Sequence, residues 1–170
     1  MATIIGIDQS YTSCGIVVIQ DGTMVHHERV VTPIAMDVYD RANYLAHHIN
    51  GVVGNYTNFD NDPTVWPVIG IEGLAFGMRG NATRDLAGLL FVIITTLRNC
   101  NGDLKIGIVS PLTVKKFATG KGKADKKQLY EKLPDDVKTI LETNYKKTTG
   151  LYDLTDAYWI AKYTEAAQAK

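Results

Sequence analysis

Residues 3–20 read TIIGIDQSYTSCGIVVIQ, and this stretch decides the fold class. Two short runs of Ile and Val flank a small polar stretch, Gln9–Ser13. That is the pattern of two strands and a turn, not of one helix. Thr3–Asp8 is the expected first strand and Cys14–Gln20 the second. Asp21-Gly22 follows, a dipeptide favoured in tight hairpin turns because both central residues there need positive φ. Met24–Val31 is the third strand, and Pro33 closes it, since proline has no N–H to give to a ladder. The chain therefore opens as a three-stranded antiparallel meander.

Beyond the meander, strands alternate with helices. Asp37 is an expected N-cap, with Tyr39, Ala42, Leu45, Ala46 and Ile49 following at helical spacing. This helix is expected to fray around Gly51–Gly54, and residues 55–63 have loop composition. Val65–Glu72 is a near-continuous apolar run, as a central strand covered on both faces requires. Gly73–Gly80 is a loop, after which Asn81 or Thr83 caps a long apolar helix running to about Arg98. Leu104–Val109 is a fifth strand, and Pro111 suits the first turn of a short helix, Leu112–Ala118. Lys126–Leu133 and Asp135–Thr143 are helix-like and separated by Pro134, and Leu151–Ala169 is a closing helix. A meander followed by strand–helix–strand crossovers predicts an α/β fold: a mixed five-stranded sheet with helices on both faces. A length of 170 residues fits one domain, residues 1–170.

Composition narrows the function classes. Hydrophobic residues make up 45% and charged residues 21%, so a packed core is expected and wholesale disorder is not. The longest apolar run, Leu86–Leu97, is 12 residues, short of the roughly 20 needed to span a bilayer, so it reads as a buried helix. Asp8 interrupts the first apolar stretch too early for a signal core. Cys14 and Cys100 have no metal-ligand spacing and fit a reducing cytoplasm. The net charge is zero, yet residues 115–147 hold ten lysines against five acids, a local balance of +5. A basic lobe on a neutral chain is a candidate phosphate-binding footprint.

Four acids carry the chemistry. Asp8 and Glu72 end the apolar runs TIIGID and WPVIGIE, while Asp153 and Asp156 open the closing helix, LYDLTDAYWIAKY. A carboxylate at the end of a buried strand is costly without a partner, and no opposite charge stands near these in sequence. Asp153 and Asp156 are three apart, which places both on one helix face. If that helix crosses the ends of the first and fourth strands, all four meet. Such a cluster suits hard divalent cations, Mg²⁺ or Mn²⁺, and two ions at one site are the usual equipment for phosphodiester hydrolysis. The pairs His26-His27 and His47-His48 do not read as ligand pairs, because adjacent side chains diverge on strands and helices alike. Gly120–Gly122 does not follow a strand and lacks a third glycine, so it is a poor nucleotide loop. Tyr158, Trp159 and Tyr163 read as packing.

The ordered segments IIGIDQSYTSCGIVV, VIGIEGLAFGMRGNATRDL, SPLTVKKFATGKGKADKKQL and YDLTDAYWIA resemble the RuvC-type Holliday junction resolvases of the RNase H-like nuclease superfamily. The resemblance runs along nearly the whole chain. It implies an RNase H-like fold, a homodimer that binds four-way DNA, and symmetric nicking with Mg²⁺, Mn²⁺ being able to substitute. By motif position the four acids of that family fall on Asp8, Glu72, Asp153 and Asp156. Its basic DNA contacts fall on Lys115 and Lys126, with Lys116, Lys121, Lys123 and Lys127 nearby. Arg79 and Phe76, in the loop after the second acid, are further candidates for DNA contact, Phe76 as the aromatic that disturbs stacking at the crossover. The long apolar helix matches the helix that family members pack at their dimer interface.

The expectation is therefore a structure-selective endodeoxyribonuclease of the cytoplasm, with no membrane and no small-molecule cofactor involved. The short, neutral, Tyr- and Asn-rich chain looks like a bacteriophage relative acting in its bacterial host, with other branched DNA as further substrate. Three alternatives share the fold. An actin-like phosphotransferase or ATPase needs a second domain, for which the chain leaves no room. A non-catalytic junction binder is expected to have lost an acid. An RNase H-type enzyme on RNA–DNA hybrids is distinguished by contacts to 2′-OH groups, which sequence does not display.

Overall fold

Alternation of side chains along the strands sorts the core into two layers. The structure, a computed structural model, describes residues 2–57, 66–74, 80–102 and 104–169. Strands β1 (Thr3–Gln9), β2 (Ser13–Gln20) and β3 (Thr23–Val31) form the expected meander. Asp21 and Gly22 both take positive φ at its first turn, as that dipeptide predicts. Helix α1 (Val38–Gly54) leads to β4 (Val68–Glu72), α2 (Asn81–Asn101) to β5 (Lys105–Val109). The sheet order is β3-β2-β1-β4-β5, with β1, β4 and β5 parallel. Helices α3 (Pro111–Thr119), α4 (Lys126–Glu131), α5 (Asp135–Asn144) and α6 (Leu151–Gln168) complete the chain.

On one face of the sheet, Ile5, Ile7, Ile16, Val18, Ile69 and Ile71 pack against α1 and α2. On the other, Ile4, Val17 and Ile19 pack against Leu154, Ala157, Tyr158 and Ala161 of α6 and against Val137 and Leu141 of α5. The mixed sheet with helices on both faces is thus as expected. Among the described residues no helix is long and apolar enough to cross a membrane.

Several boundaries move for identifiable reasons. Helix α1 does not fray at Gly51, because Val52 and Val53 are buried and hold its last turn to the core. Neither Asn81 nor Thr83 caps α2. Gly80 is the N-cap, without a side-chain bond, and the helix continues past Arg98 to Asn101, which is itself buried. Strand β4 begins only after Pro67, which has no N–H for the ladder. Helix α4 stops at Glu131, two residues short, since Leu133 precedes Pro134 and is pushed out of helical geometry. Helix α2 is less buried than its composition suggests: Leu89, Leu90, Ile93 and Leu97 face the core, but Phe91 is 70% exposed.

Helix α6 lies unusually close to the sheet. A Cβ on Gly6 would stand 2.1 Å from the Ala157 carbonyl oxygen, and one on Gly15 would stand 2.5 Å from that of Asp153. No side chain other than hydrogen fits beneath the helix at these points. Small residues on both partners let α6 settle onto β1 and β2.

Candidate active site

The acids are assembled by the pleat. Parallel pairing of β1 and β4 runs through Ile7↔Ile71, which face α1 and α2, so the next residues, Asp8 and Glu72, turn together to the α6 side. Asp153 lies in the first turn of α6, where an acid is favoured by the helix dipole, and Asp156 one turn further along. All four side chains are partly or largely shielded: Asp153 is 22% exposed and Asp156 15%.

Burial, with acids close by, raises the affinity of three of these carboxylates for protons. Burial pushes Asp8 well above the usual carboxylate range, and the charges of Glu72 and Asp156 and a hydrogen bond to Glu72 push it further. Glu72 is raised by burial, although the bond with Asp8, and Lys115 and Lys126, counter this. Burial lifts Asp156 to about 6 against the pull of Lys126, with Glu72 adding to the rise.

A cation already stands among the acids. Lys126 Nζ lies 3.8 Å from Asp153 Oδ1 and 3.5 Å from Asp156 Oδ2. Burial alone would lower its pKa, but Asp156, Asp8 and Asp153 outweigh this and hold the ammonium above its ordinary range. Its backbone is fixed by a capping box in which Asp125 accepts from the Gln128 N–H at 2.8 Å and Gln128 accepts from the Asp125 N–H at 3.0 Å. The Trp159 indole N–H donates to the Leu129 carbonyl at 3.1 Å and ties α4 to α6.

Asp153 has a second cationic partner: Arg29 Nε donates to its Oδ2 at 2.9 Å, and the Ser13 hydroxyl donates to the same oxygen at 3.1 Å. The acids thus do have partners of opposite charge, brought from remote segments. As the side chains are placed, no three His, Cys, Asp or Glu among the described residues close on a common point. Lys126 stands between two of the acids, and one oxygen of Asp153, Oδ2, engages Arg29 while the other faces Lys126.

The fold has a counterpart in known structures. The chain is similar in fold to RuvC. One structure of Thermus thermophilus RuvC matches with a TM-score of 0.67 at 18% identity, over 98% of this chain and 96% of that one. T. thermophilus RuvC in complex with Holliday junction substrate matches with a TM-score of 0.72 at 18% identity, over 99% and 97% of the two chains. No protein-family model and no curated protein matches the sequence.

Within this RuvC-like fold the remaining candidates separate. Lys116, Lys121, Lys123 and Lys127 are exposed on α3, α4 and the turn between them, and Lys127 pairs only loosely with Glu131 at 3.7 Å. Lys115 is half-buried and close enough to bias Glu72 and Asp156. Lys126 is not free for DNA as placed. Phe76 and Arg79 lie outside the described residues. Phe117 packs edge-on against Trp159 and Tyr163, so these aromatics do serve packing.

Sequence reasoning missed Arg29 and Ser13. It also missed that one histidine from each pair meets the other through Glu28, with His26 Nε2 3.3 Å and His48 Nε2 2.6 Å from its two oxygens. That contact ties β3 to α1.

Proposed function

We propose that this chain is a structure-selective endodeoxyribonuclease, a single nuclease domain that resolves four-way DNA junctions by metal-dependent phosphodiester hydrolysis. The observation that carries the reading is the pair Asp8 and Glu72 in a shielded corner, with Asp156 near enough to interact with both and a lysine ammonium as counter-charge to Asp153 and Asp156. Four carboxylates that draw in an ammonium, three of them with proton affinity raised by burial, are short of positive charge. Their donor set, hard oxygens only, fits Mg²⁺ or Mn²⁺.

Asp8, Glu72, Asp153 and Asp156 are the residues that would hold two such ions. Bound there, the ions supply a water of lowered pKa and stabilisation of the charge that develops on the phosphate oxygens. The protein's own part is positional. Asp8, on the central strand, is close enough to Glu72 and Asp156 to feel both charges. Lys126 is 55% exposed and can leave the acids for a DNA phosphate. Lys116, Lys121, Lys123 and Lys127 extend a basic strip from that point, which makes binding salt-dependent.

A homodimer is part of the proposal, because two sites at a fixed spacing fit two opposing strands of a junction. Phe91, exposed on the outer face of α2, supports a partner there. The setting proposed is a reducing cytoplasm, in which Cys14 and Cys100 remain free thiols.

The substrate class is tested by competition. A labelled immobile four-way junction is offered to the protein in Mg²⁺ with an excess of linear duplex, three-way junction or RNA–DNA hybrid of matching sequence. Branched DNA alone is expected to compete. Preferential cutting of the hybrid contradicts the proposal and favours an RNase H-type enzyme.

The counter-charge role of Lys126 has its own expected result. Lys126→Met removes the ammonium from among the acids. It should tighten Mn²⁺ binding by about tenfold, or ~1.4 kcal/mol once the screening of a half-exposed group is allowed for. It should also lower the melting temperature in EDTA. Calorimetric titration and thermal melts check both.

A further inference from the structure

Arg29 shares a transverse row with the acids. Antiparallel pairing places Arg29 opposite Gly15 and Gly15 opposite Asp8, and Asp8 meets Glu72, one residue beyond the parallel pair Ile7↔Ile71. The row crosses β3, β2, β1 and β4 on the face covered by α6. Gly15 leaves a gap in it, and the Asp153 backbone fills that gap. The Arg29 side chain then passes over the start of α6. A Cβ on Gly150 would stand 2.0 Å from Arg29 Cδ, and Gly150 itself has φ +113°, which side-chain-bearing residues rarely adopt. Glycine at 150 thus both begins the helix and makes room for the arginine.

We propose that Arg29 and Ser13 are positioning residues for Asp153: both hold Oδ2, so that Oδ1 is the oxygen presented to the acid cluster. The inference rests on the proposal that the four acids hold divalent cations. Two donors converge on Oδ2, the guanidinium N–H at 2.9 Å and the hydroxyl at 3.1 Å. Oδ1 lies on the Lys126 side, 3.8 Å from Nζ. A charge-assisted bond from the rigid guanidinium, with a second donor on the same oxygen, fixes the rotation of the carboxylate about its Cβ–Cγ bond. Arg29 is 24% exposed and Asp153 22%, so water competes weakly for that oxygen. Without the two donors the carboxylate turns freely and must be ordered again at each binding event. Arg29 therefore differs from Lys126, which stands where a cation would and competes with it. Arg29 engages the oxygen that faces away.

The test is Mn²⁺ binding by the full chain without DNA, read by electron paramagnetic resonance of the free ion. Arg29→Met keeps the stem that packs on Gly150 and should weaken Mn²⁺ binding by about tenfold, the lower end of the range for residues that orient metal ligands. Ser13→Ala, which removes one oxygen atom and leaves the packing intact, should weaken it by about two- to threefold, and Arg29→Lys should recover part of the loss. Melting temperatures in EDTA report folding separately from affinity. Affinity unchanged or tighter in both Arg29→Met and Ser13→Ala overturns the inference while leaving the nuclease proposal standing. If Arg29→Met fails to fold, Ser13→Ala decides alone by the same criterion. Absence of Mn²⁺ binding by the wild type overturns both.

Discussion

Asp8→Asn is expected to abolish junction cleavage, by on the order of 10³-fold or more, and at the same time to raise the melting temperature of the metal-free protein. The two effects have one cause. Asp8 is the acid whose affinity for a proton burial raises most clearly, and Glu72 and Asp156 add to the rise. A carboxyl that binds protons more readily in the folded than in the unfolded chain costs stability once it ionises. For Asp156 the folded value of about 6 stands above the ordinary 3.8. Its cost therefore appears as pH rises through that window and is complete above it. The direction is the same for Asp8. Asparagine keeps the shape and carries no charge. A gain of about 1–3 kcal/mol, the scale of an ill-matched buried polar group, corresponds to a rise of roughly 3–10 °C for a chain of this size. Thermal melts in EDTA at two pH values check it. The difference between Asp8→Asn and wild type should be larger at pH ~7.5 than at pH ~5, where the wild-type acids are already taking up protons. A destabilised Asp8→Asn would mean that the acids are not short of positive charge.

Gly6→Ala is the second large effect, and it acts through α6. The added methyl carbon would meet the Ala157 carbonyl oxygen at 2.1 Å and the Ala161 nitrogen at 2.6 Å. Both are helix backbone, so neither side can yield by a rotamer change. The helix must lift from the sheet, and Leu154, Ala157 and Ala161 lose contact with Ile4, Val17 and Ile19. Overpacking costs about 1–3 kcal/mol where side chains can adjust, and occasionally more. Here about 3 kcal/mol or more is expected, a fall in melting temperature of roughly 6–12 °C. Because α6 carries Asp153 and Asp156, Mn²⁺ binding should fall with it. Gly15→Ala should act on the site directly, since its methyl would meet the Asp153 carbonyl oxygen at 2.5 Å. A stable Gly6→Ala protein with full cation binding would show that the close seating of α6 is not required.

The parts of this architecture that follow local rules were legible in the sequence. The meander was, because period-two alternation and an Asp-Gly turn are both local signals. The convergence of Asp8 and Glu72 was, because each ends a strand that reads as central, and parallel neighbours in register bring like positions together. Asp153 and Asp156 were, because helical spacing of three puts them on one face. Arg29 was not. A simple two-residue turn at Asp21-Gly22 would place Glu28 opposite Gly15, with Arg29 pointing to the α1 side. The register instead slips by one between Val18 and Ile19, and a one-residue slip reverses every later side chain. That bulge puts the arginine, not the glutamate, in the row of the acids, and nothing in MVHHERVV announces it. Lys126 was legible as a basic residue near phosphate but not as the counter-charge of the acids, since that depends on how α4 docks against α6.

The central claim is that these four acids cut branched DNA. It is tested most directly on an immobile four-way junction, each strand labelled in turn, incubated with wild type or Asp8→Asn in Mg²⁺ or EDTA and run on a denaturing gel. Wild type in Mg²⁺ should give paired nicks at matching positions on two opposing strands, absent in EDTA and absent with Asp8→Asn. Junction that is bound but left uncut in Mg²⁺ and again in Mn²⁺, or nicks that persist with Asp8→Asn, would contradict the account.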